Sequence, residues 1–302
     1  MRSFILAGAA FASLALLPAA APPAPRTTLL VSTAWVAQHL RDPNLVILHV
    51  GPEPGYARHI PGARYVTLDD ISVSDHSGAG NMLELPAAGA LHRRLAALGI
   101  SDTSRVVVVH DQDWVSPATR VAFTLGAAGL GYRVALMDGG MNAWRAERRP
   151  TSTERPPARA GRLAALRMQG WTVDAEFVRA NAGRRGFALI DARAPALFDG
   201  VAVGGSHGRP HKRGHIPGAR NIPFTSLTDA NQRVRPAGAL AATFRNAGVR
   251  PGDTVIVYCH IGQQGTAIVL AARSLGYRAV LYDGSFEDWS RRDLPVEGRA
   301  RS

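Results

Sequence analysis

The single cysteine of the chain, Cys259, stands in a setting that suits a reactive thiol. It follows the apolar run 255–258 and precedes the polar, glycine-bearing segment 260–265, after which apolar residues recur at helical spacing. This order predicts a buried strand, a tight loop and the first turn of a helix. The carboxyl ends of parallel strands are where open α/β sheets bind ligands. We therefore expect Cys259 to be a nucleophile, the alternative being a small buried core residue.

The loop after Cys259 is predicted to bind the substrate. Its backbone N–H groups and the positive end of the following helix are expected to converge on the sulfur and to favour the thiolate form. The predicted binding residues are His260, Ile261, Gly262, Gln263, Gln264 and Gly265. The first of them, His260, has two interpretations. It either gains charge near its ordinary pKa of about 6.5, acting as a pH switch, or is a solvent-facing imidazole.

The chain contains an internal repeat. The hexapeptide His-Ile-Pro-Gly-Ala-Arg at residues 59–64 recurs letter for letter at residues 215–220. A Leu-Gly-Tyr-Arg element recurs as well, at residues 130–133 and 275–278. In both halves short apolar runs alternate with amphipathic stretches, a pattern typical of a parallel sheet flanked by helices. The sequence therefore predicts an α/β chain of two tandem domains of one type.

Four segments make up the predicted organisation. A basic start, an apolar stretch and small residues form a signal-peptide pattern over residues 1–21, whose cleavage point stays open. The first domain is predicted at residues 27–150, a linker rich in proline and arginine at 151–164, and the second domain at 165–302. The pattern predicts export to the periplasm, without stable membrane association once the signal is cleaved. An uncleaved anchor is the alternative.

Composition narrows the classes of function. With 46% hydrophobic and 19% charged residues among 302, the chain is globular rather than disordered. One cysteine cannot form an internal disulfide, so the fold must depend on its core. The formal charge of +12 favours a small anionic substrate, the alternative being a generic basic surface. No nucleic-acid partner is predicted, because the arginines are scattered and no binding motif is present.

The two repeats differ at the position of the thiol. Aligning their strands places Asp111 of the first opposite Cys259 of the second. A carboxylate cannot replace a polarizable thiolate as nucleophile, so the first domain is predicted to be inactive and to wall the pocket of the second. Asp111 and Asp113 raise the alternative of a metal site, but two acids in one loop are more often solvated. No metal site is predicted.

These features together resemble the tandem-domain rhodaneses, the thiosulfate and 3-mercaptopyruvate sulfurtransferases. The resemblance rests on the doubled His-Ile-Pro-Gly-Ala element, on the strand–Cys–loop–helix order and on Asp-Gly-Gly-x-x-x-Trp at residues 138–144. In that family an inactive amino-terminal copy carries Asp where the carboxy-terminal copy carries the catalytic Cys, as Asp111 and Cys259 do here. The resemblance implies a five-stranded parallel sheet flanked by helices, present twice.

The resemblance also implies a double-displacement reaction that needs no metal or organic cofactor. The thiolate of Cys259 would take the outer sulfur of a small anionic donor, thiosulfate or 3-mercaptopyruvate, and hold it as a persulfide. Cyanide or a thiol, including a protein thiol, would then accept it. A thiolate suits both steps because it is a nucleophile and a leaving group. Ile261 stands where thiosulfate-type members carry a cation, so the preferred donor stays open.

Two further elements are candidates for binding the donor. Asp191 and Arg193 match the family's Asp-x-Arg element, and Arg193 either holds the donor or forms an ion pair with Asp191. An additional pocket arginine of the thiosulfate enzymes has no counterpart here, and the basic insertion 204–215 could replace it. Its candidate side chains are Arg209, Lys212 and Arg213. Its three histidines would suit zinc only on a helix, which the glycines and proline there disfavour.

Other functions are compatible with a reactive cysteine. Phosphatases and arsenate reductases with a related loop need an arginine six residues after the cysteine, where this chain has Gly265. An exported persulfide carrier that delivers sulfur to a protein partner would keep Cys259 but would turn over small donors poorly. A structural tandem with an inert thiol would leave Cys259 unreactive toward alkylating reagents.

Overall fold

The structure of the protein is a computed structural model that describes residues 29–111, 115–206 and 209–298. The predicted signal segment, residues 1–21, and Asp113 lie outside these residues. Among the described residues, no helix combines the length and the apolar character needed to cross a membrane.

The first half of the described chain forms a five-stranded parallel sheet. Its strands are β1 (Leu30–Val31), β2 (Leu45–Val50), β3 (Arg64–Val66), β4 (Arg105–His110) and β5 (Val134–Met137). Their spatial order is β1-β5-β4-β2-β3. The helices are α1 (Thr33–His39), α2 (Glu53–Tyr56), α3 (Ala88–Ala97), α4 (Ser116–Leu125) and α5 (Gly140–Ala146). A π-helical turn (Gly126–Leu130) and a 3₁₀ turn (Gly131–Arg133) follow α4. The central strands are apolar and buried, because helices cover both faces.

The second half repeats this architecture. Its strands are β6 (Thr172–Val173), β7 (Phe187–Asp191), the antiparallel pair β8 (Gly205–Ser206) and β9 (Arg209–Pro210), β10 (Arg220–Asn221), β11 (Thr254–Tyr258) and β12 (Arg278–Tyr282). The five-stranded parallel sheet has the order β6-β12-β11-β7-β10, which matches the first sheet. The helices are α6 (Ala175–Asn181), α7 (Pro195–Phe198), α8 (Ala237–Asn246), α9 (Gly265–Ser274) and α10 (Ser285–Arg291), with a 3₁₀ turn (Phe224–Leu227). The predicted tandem α/β fold is confirmed.

The repeated hexapeptide has the same structural role in both halves. His59 stacks on Tyr56, and His215 stacks on Phe198, with ring centres 4.1 and 3.7 Å apart. In each copy the imidazole Nδ1 lies within hydrogen-bond distance of the backbone carbonyl oxygen of its stacking partner. The glycine of each copy has a φ of 78°, a left-handed conformation that glycine adopts without strain. The hexapeptide therefore forms the turn into the edge strands β3 and β10.

The predicted linker runs along the first domain. The backbone N–H of Gly161 donates to the carbonyl of Ala96, and that of Gln169 to the carbonyl of Ala127, both at 2.7 Å. The Trp171 ring lies against the α-carbon face of Gly126, where a Cβ would collide with it. The first strand of the second sheet starts directly afterwards. The boundaries at residues 150 and 164 stay predictions.

The two domains pack through α4 and α9. All ten residues of α4 are buried, and Phe123 of that helix lies in the core of the second domain. Leu270 of α9 in turn lies in the core of the first. The hydroxyls of Thr119 and Thr266 join the helices with a hydrogen bond of 2.8 Å. The interface therefore continues both hydrophobic cores.

Each Asp-Gly element of the repeat also reaches across this interface. The Asp138 carboxylate accepts the backbone N–H of Val234, and the Asp283 carboxylate accepts that of Leu85, both at 2.8 Å. These bonds fix the relative position of the two sheets.

Candidate active site

Cys259 follows β11, the central strand of the second sheet, and it is fully buried, with 0% of its surface exposed. Its backbone N–H donates to Ser285 Oγ at 3.2 Å, and its carbonyl oxygen accepts the N–H of Phe286 at 3.0 Å. Ser285 Oγ donates in turn to the carbonyl of Tyr282 at 2.9 Å. The first turn of α10 therefore anchors the base of the loop. The thiol lies at the end of a parallel strand, as the sequence predicts.

The loop from residue 260 to 265 presents a row of backbone donors. Among the described residues, its N–H groups have no acceptor in the backbone or in a side chain. Gly262 has a φ of 79°, and a Cβ there would come within 2.6 Å of the carbonyl oxygen of Asp283. The loop leads directly into α9, where the N–H groups of Thr266 and Ala267 donate to the carbonyls of Gln263 and Gln264, both at 3.1 Å. Such an arrangement of backbone donors suits an anionic group.

The surroundings of His260 favour neither interpretation of this residue. The imidazole is partly buried under the insertion, and a Cβ on Gly204 would collide with it. The His211 ring lies 5.6 Å away, centre to centre. Burial above all, followed by the charge of Arg193, lowers the pKa of His260 to about 4. The side chain is therefore neutral at physiological pH, because the insertion excludes the water that would solvate its charge. Its place among the substrate-binding residues stays a prediction.

This lowered pKa predicts a pH-dependent loss of stability. The unfolded chain binds a proton on His260 near pH 6.5 but the folded protein only near pH 4, so protonation favours unfolding between these values. Relative to His260→Gln, the wild-type free energy of unfolding is expected to fall by on the order of 2 kcal/mol over this range. Urea unfolding at several pH values measures the difference. His39→Gln, in α1, is the control; parallel curves for His260→Gln and wild type would contradict the burial argument.

Asp191 and Arg193 form a buried ion pair beside Cys259. Their side chains are 0% and 1% exposed, and Arg193 Nη2 lies 2.6 Å from Asp191 Oδ2. The same nitrogen donates to the carbonyl of Gly214, and the guanidinium lies 3.8 Å from the Phe286 ring centre. Burial disfavours the charge of Arg193, but the hydrogen bonds and charge of Asp191 outweigh burial and raise its pKa. This geometry matches the ion-pair interpretation of Arg193. Direct contact of Arg193 with a donor stays a prediction.

The cations of the insertion bond to other segments. Arg213 is exposed and donates to the carbonyl of Gly200 at 3.2 Å. Lys212 pairs with Asp293 at 2.6 Å, and Arg209 donates to the carbonyl of a glycine in the first domain. A contact of Arg213 with the substrate stays a prediction that these bonds do not support. The insertion packs over the His260 side chain and shields it from water.

Two side chains of the first domain reach the loop, and the sequence alone does not single them out. Arg120 Nη1 donates to the carbonyl of Gly262 at 3.0 Å, and Gln263 Nε2 donates to Ser116 Oγ at 3.0 Å. Arg120 is 0% exposed. The available signal was a lone arginine in α4, a helix that otherwise has only apolar, small or hydroxyl-bearing residues. A charge in such a helix requires a buried partner.

The equivalent position in the first domain is filled by its own side chains. Asp111 follows β4, and its carboxylate lies 2.5 Å from Arg145 Nη1 and 3.5 Å from the buried His49 Nε2. Burial acts to raise the pKa of Asp111, but the bonds from His49 and Arg145 prevail and hold it well below its usual range. Asp111 is therefore a paired carboxylate, and the inactivity of the first domain stays a prediction. The alternative metal site also required Asp113, which lies outside the described residues.

Comparison with known proteins identifies the family. The model described as "Rhodanese-like domain" matches residues 32–147 and again residues 174–292. A thiosulfate sulfurtransferase from Azotobacter vinelandii is 29% identical over 272 residues, covering 89% of this chain and 97% of its own. A 3-mercaptopyruvate sulfurtransferase from Rattus norvegicus is 30% identical over 287 residues, covering 88% and 93%.

A solved structure agrees with this result. The crystal structure of the 3-mercaptopyruvate sulfotransferase SseA from Escherichia coli matches with a TM-score of 0.73 and 25% identity, covering 86% of this chain and 99% of that chain. Both halves of the described chain have the same sheet order, and each is matched by the family model. The chain therefore belongs to the rhodanese family, as a sulfurtransferase with two rhodanese-like domains in tandem.

Proposed function

We propose that the protein moves a sulfane sulfur from thiosulfate or 3-mercaptopyruvate to cyanide or a thiol through a persulfide on Cys259. The observation that carries this proposal is the buried thiol next to a row of backbone N–H groups without acceptors among the described residues. A persulfide places a negatively charged terminal sulfur beyond Cys259, and oriented backbone N–H groups stabilise such a charge. The positive charge of Arg193 is close enough to interact with a charged Cys259.

The reaction consists of two displacements. The Cys259 thiolate attacks the outer sulfur of thiosulfate, the S–S bond of the donor breaks, and sulfite leaves with the bonding electron pair. With 3-mercaptopyruvate the C–S bond breaks instead, and the enolate of pyruvate leaves. The acceptor then attacks the terminal sulfur, and the Cys259 thiolate leaves, which closes the cycle.

The surroundings of the thiol favour a small donor. Cys259 has no exposed surface, so the site must open before any donor reaches the sulfur, and a small donor needs a smaller opening than a protein partner does. Thiosulfate and 3-mercaptopyruvate are small anions, and the formal charge of +12 attracts them to the protein. The Azotobacter vinelandii relative is named for thiosulfate, and the Rattus norvegicus relative is named for 3-mercaptopyruvate.

The experiment that tests this function is intact mass spectrometry after separate treatment with excess thiosulfate and excess 3-mercaptopyruvate. A gain of about 32 Da that cyanide removes is expected from at least one donor, since one sulfur is added and later transferred. The donor that loads faster defines the subclass. No adduct from either donor, while iodoacetamide still alkylates Cys259, would contradict transfer from small donors and favour a persulfide carrier loaded by a protein partner.

We also propose that the protein is exported to the periplasm and is not stably associated with the membrane after cleavage of its signal. The basis is the pattern of residues 1–21, a short basic start followed by an uncharged apolar stretch and small residues. Intact mass of the protein from a periplasmic extract is expected to lack this segment. A full-length mass confined to the membrane fraction would point to an uncleaved anchor.

A further inference from the structure

Arg120 connects the inactive domain to the catalytic loop. Besides the bond to Gly262, its Nη1 donates to Asp283 Oδ1 at 2.7 Å, and its Nη2 donates to the carbonyl of Leu83. Asp283 also accepts the N–H of Leu85. One guanidinium therefore joins the catalytic loop, the segment after β12 and a loop of the first domain.

A charge at this position is costly for stability. Arg120 is completely buried in a helix interface made otherwise of apolar, small and hydroxyl-bearing side chains. Replacing a buried ion pair by well-packed neutral residues is often neutral or stabilising. Packing of the two domains therefore does not by itself require Arg120, and its bond to the catalytic loop points to a second role.

The bond to Gly262 sets the direction of a loop donor. The carbonyl of Gly262 and the N–H of Gln263 belong to one planar trans peptide group, so they point in opposite directions. Because Arg120 binds this carbonyl from the first domain, the N–H of Gln263 points away from that domain. The Gln263 side chain is held by Ser116 of the same helix. Two anchors thus orient this peptide without using any backbone donor of the loop.

We propose that Arg120 is a positioning residue for sulfur transfer, which holds the loop so that its N–H groups are preorganised around the persulfide of Cys259; this inference rests on the proposed function. The inactive domain thereby takes part in turnover through one side chain of α4. Misplaced donors weaken the stabilisation of charge in the transition state more than the binding of the ground state.

The test compares Arg120→Met with the double variant Arg120→Met, Asp283→Asn. The single variant leaves the Asp283 carboxylate without its buried partner, so it is expected to lose both stability and activity. The double variant removes that unpaired charge, and the Asn side chain can still accept the N–H of Leu85. We expect it to regain most of the lost stability, but kcat for transfer from thiosulfate or 3-mercaptopyruvate to cyanide to stay about 10-fold to 100-fold below wild type, with little change in KM.

A second variant controls for a change in the packing of the two domains. Thr119→Val, one residue before Arg120 in α4, removes the hydrogen bond between the helices and leaves the bond to Gly262 intact. This control is expected to keep wild-type kcat. Recovery of kcat together with stability in the double variant would overturn the positioning role. If wild-type protein forms no persulfide, the proposed function itself fails; if wild type loads and the double variant turns over equally fast, only this inference fails.

Discussion

Cys259→Ser is expected to abolish sulfur transfer, with a loss on the order of 10³-fold or more in kcat/KM for either donor. A serine hydroxyl stays protonated at neutral pH, and its oxygen does not form the bond to sulfur that the persulfide requires. Because Cys259 is the single cysteine of the chain, no second thiol can take over. The same variant should gain no mass from thiosulfate or 3-mercaptopyruvate.

The substitution should leave the fold intact. Serine is close in size to cysteine, and Cys259 lies directly after the strand, although it does belong to the buried core. Thermal unfolding followed by circular dichroism checks that the variant is folded before its activity is compared. Turnover within about 10-fold of wild type by the folded variant would assign the nucleophile to another residue, because loss of the covalent route costs far more.

Removal of either partner of the Asp191–Arg193 ion pair is expected to lower the free energy of unfolding by about 3 to 5 kcal/mol. Both side chains are buried, so removal of either one would leave the other as an unpaired charge in the protein interior. The double variant Asp191→Leu, Arg193→Met should recover most of this loss, because no buried charge remains. Chemical denaturation of the four proteins of this cycle measures the coupling energy.

An exposed pair supplies the matched control. Arg155 and Glu53 lie 2.8 Å apart, close to the 2.6 Å of the buried pair, but both side chains are 66% exposed, so Glu53→Gln should cost less than about 1 kcal/mol. An Arg193→Met cost equal to this control would show that the buried pair carries no special stability. The same variant also tests the predicted donor contact: a raised KM for thiosulfate at unchanged stability would place Arg193 against the donor, whereas loss of stability alone supports the ion-pair role.

The features that local patterns encode were predicted correctly. Continuous apolar runs at the lengths of strands, separated by helical periodicity, predict parallel sheets covered on both faces, and the letter-for-letter hexapeptide predicts two copies. The position of Cys259 after β11 follows from the same local pattern. Alignment of two strands places Asp111 opposite the thiol, and the inactivity of the first domain stays a prediction. The strands and helices follow from neighbouring residues, and the duplication follows from comparing the two halves of the sequence.

The environment of each charged group was decided by tertiary structure. Arg120 meets Gly262 and Asp283 across 142 and 163 residues of chain, and no local spacing signals that contact. His260 lies under the insertion, so its pKa depends on packing that its neighbours in sequence do not show. The sequence left Arg193 open between donor contact and ion pair, and the fold brings its guanidinium onto Asp191.

The sequence by itself thus determined the order of the elements, the duplication and the place of Cys259 at the end of a strand. A strand, a loop and a helix can be predicted from consecutive residues, because hydrophobic periodicity and turn-forming residues act over short stretches of chain. Burial, desolvation and charge pairing depend on which distant segments pack together. For that reason only the tertiary structure revealed that Arg120 of the first domain bonds to the loop after Cys259.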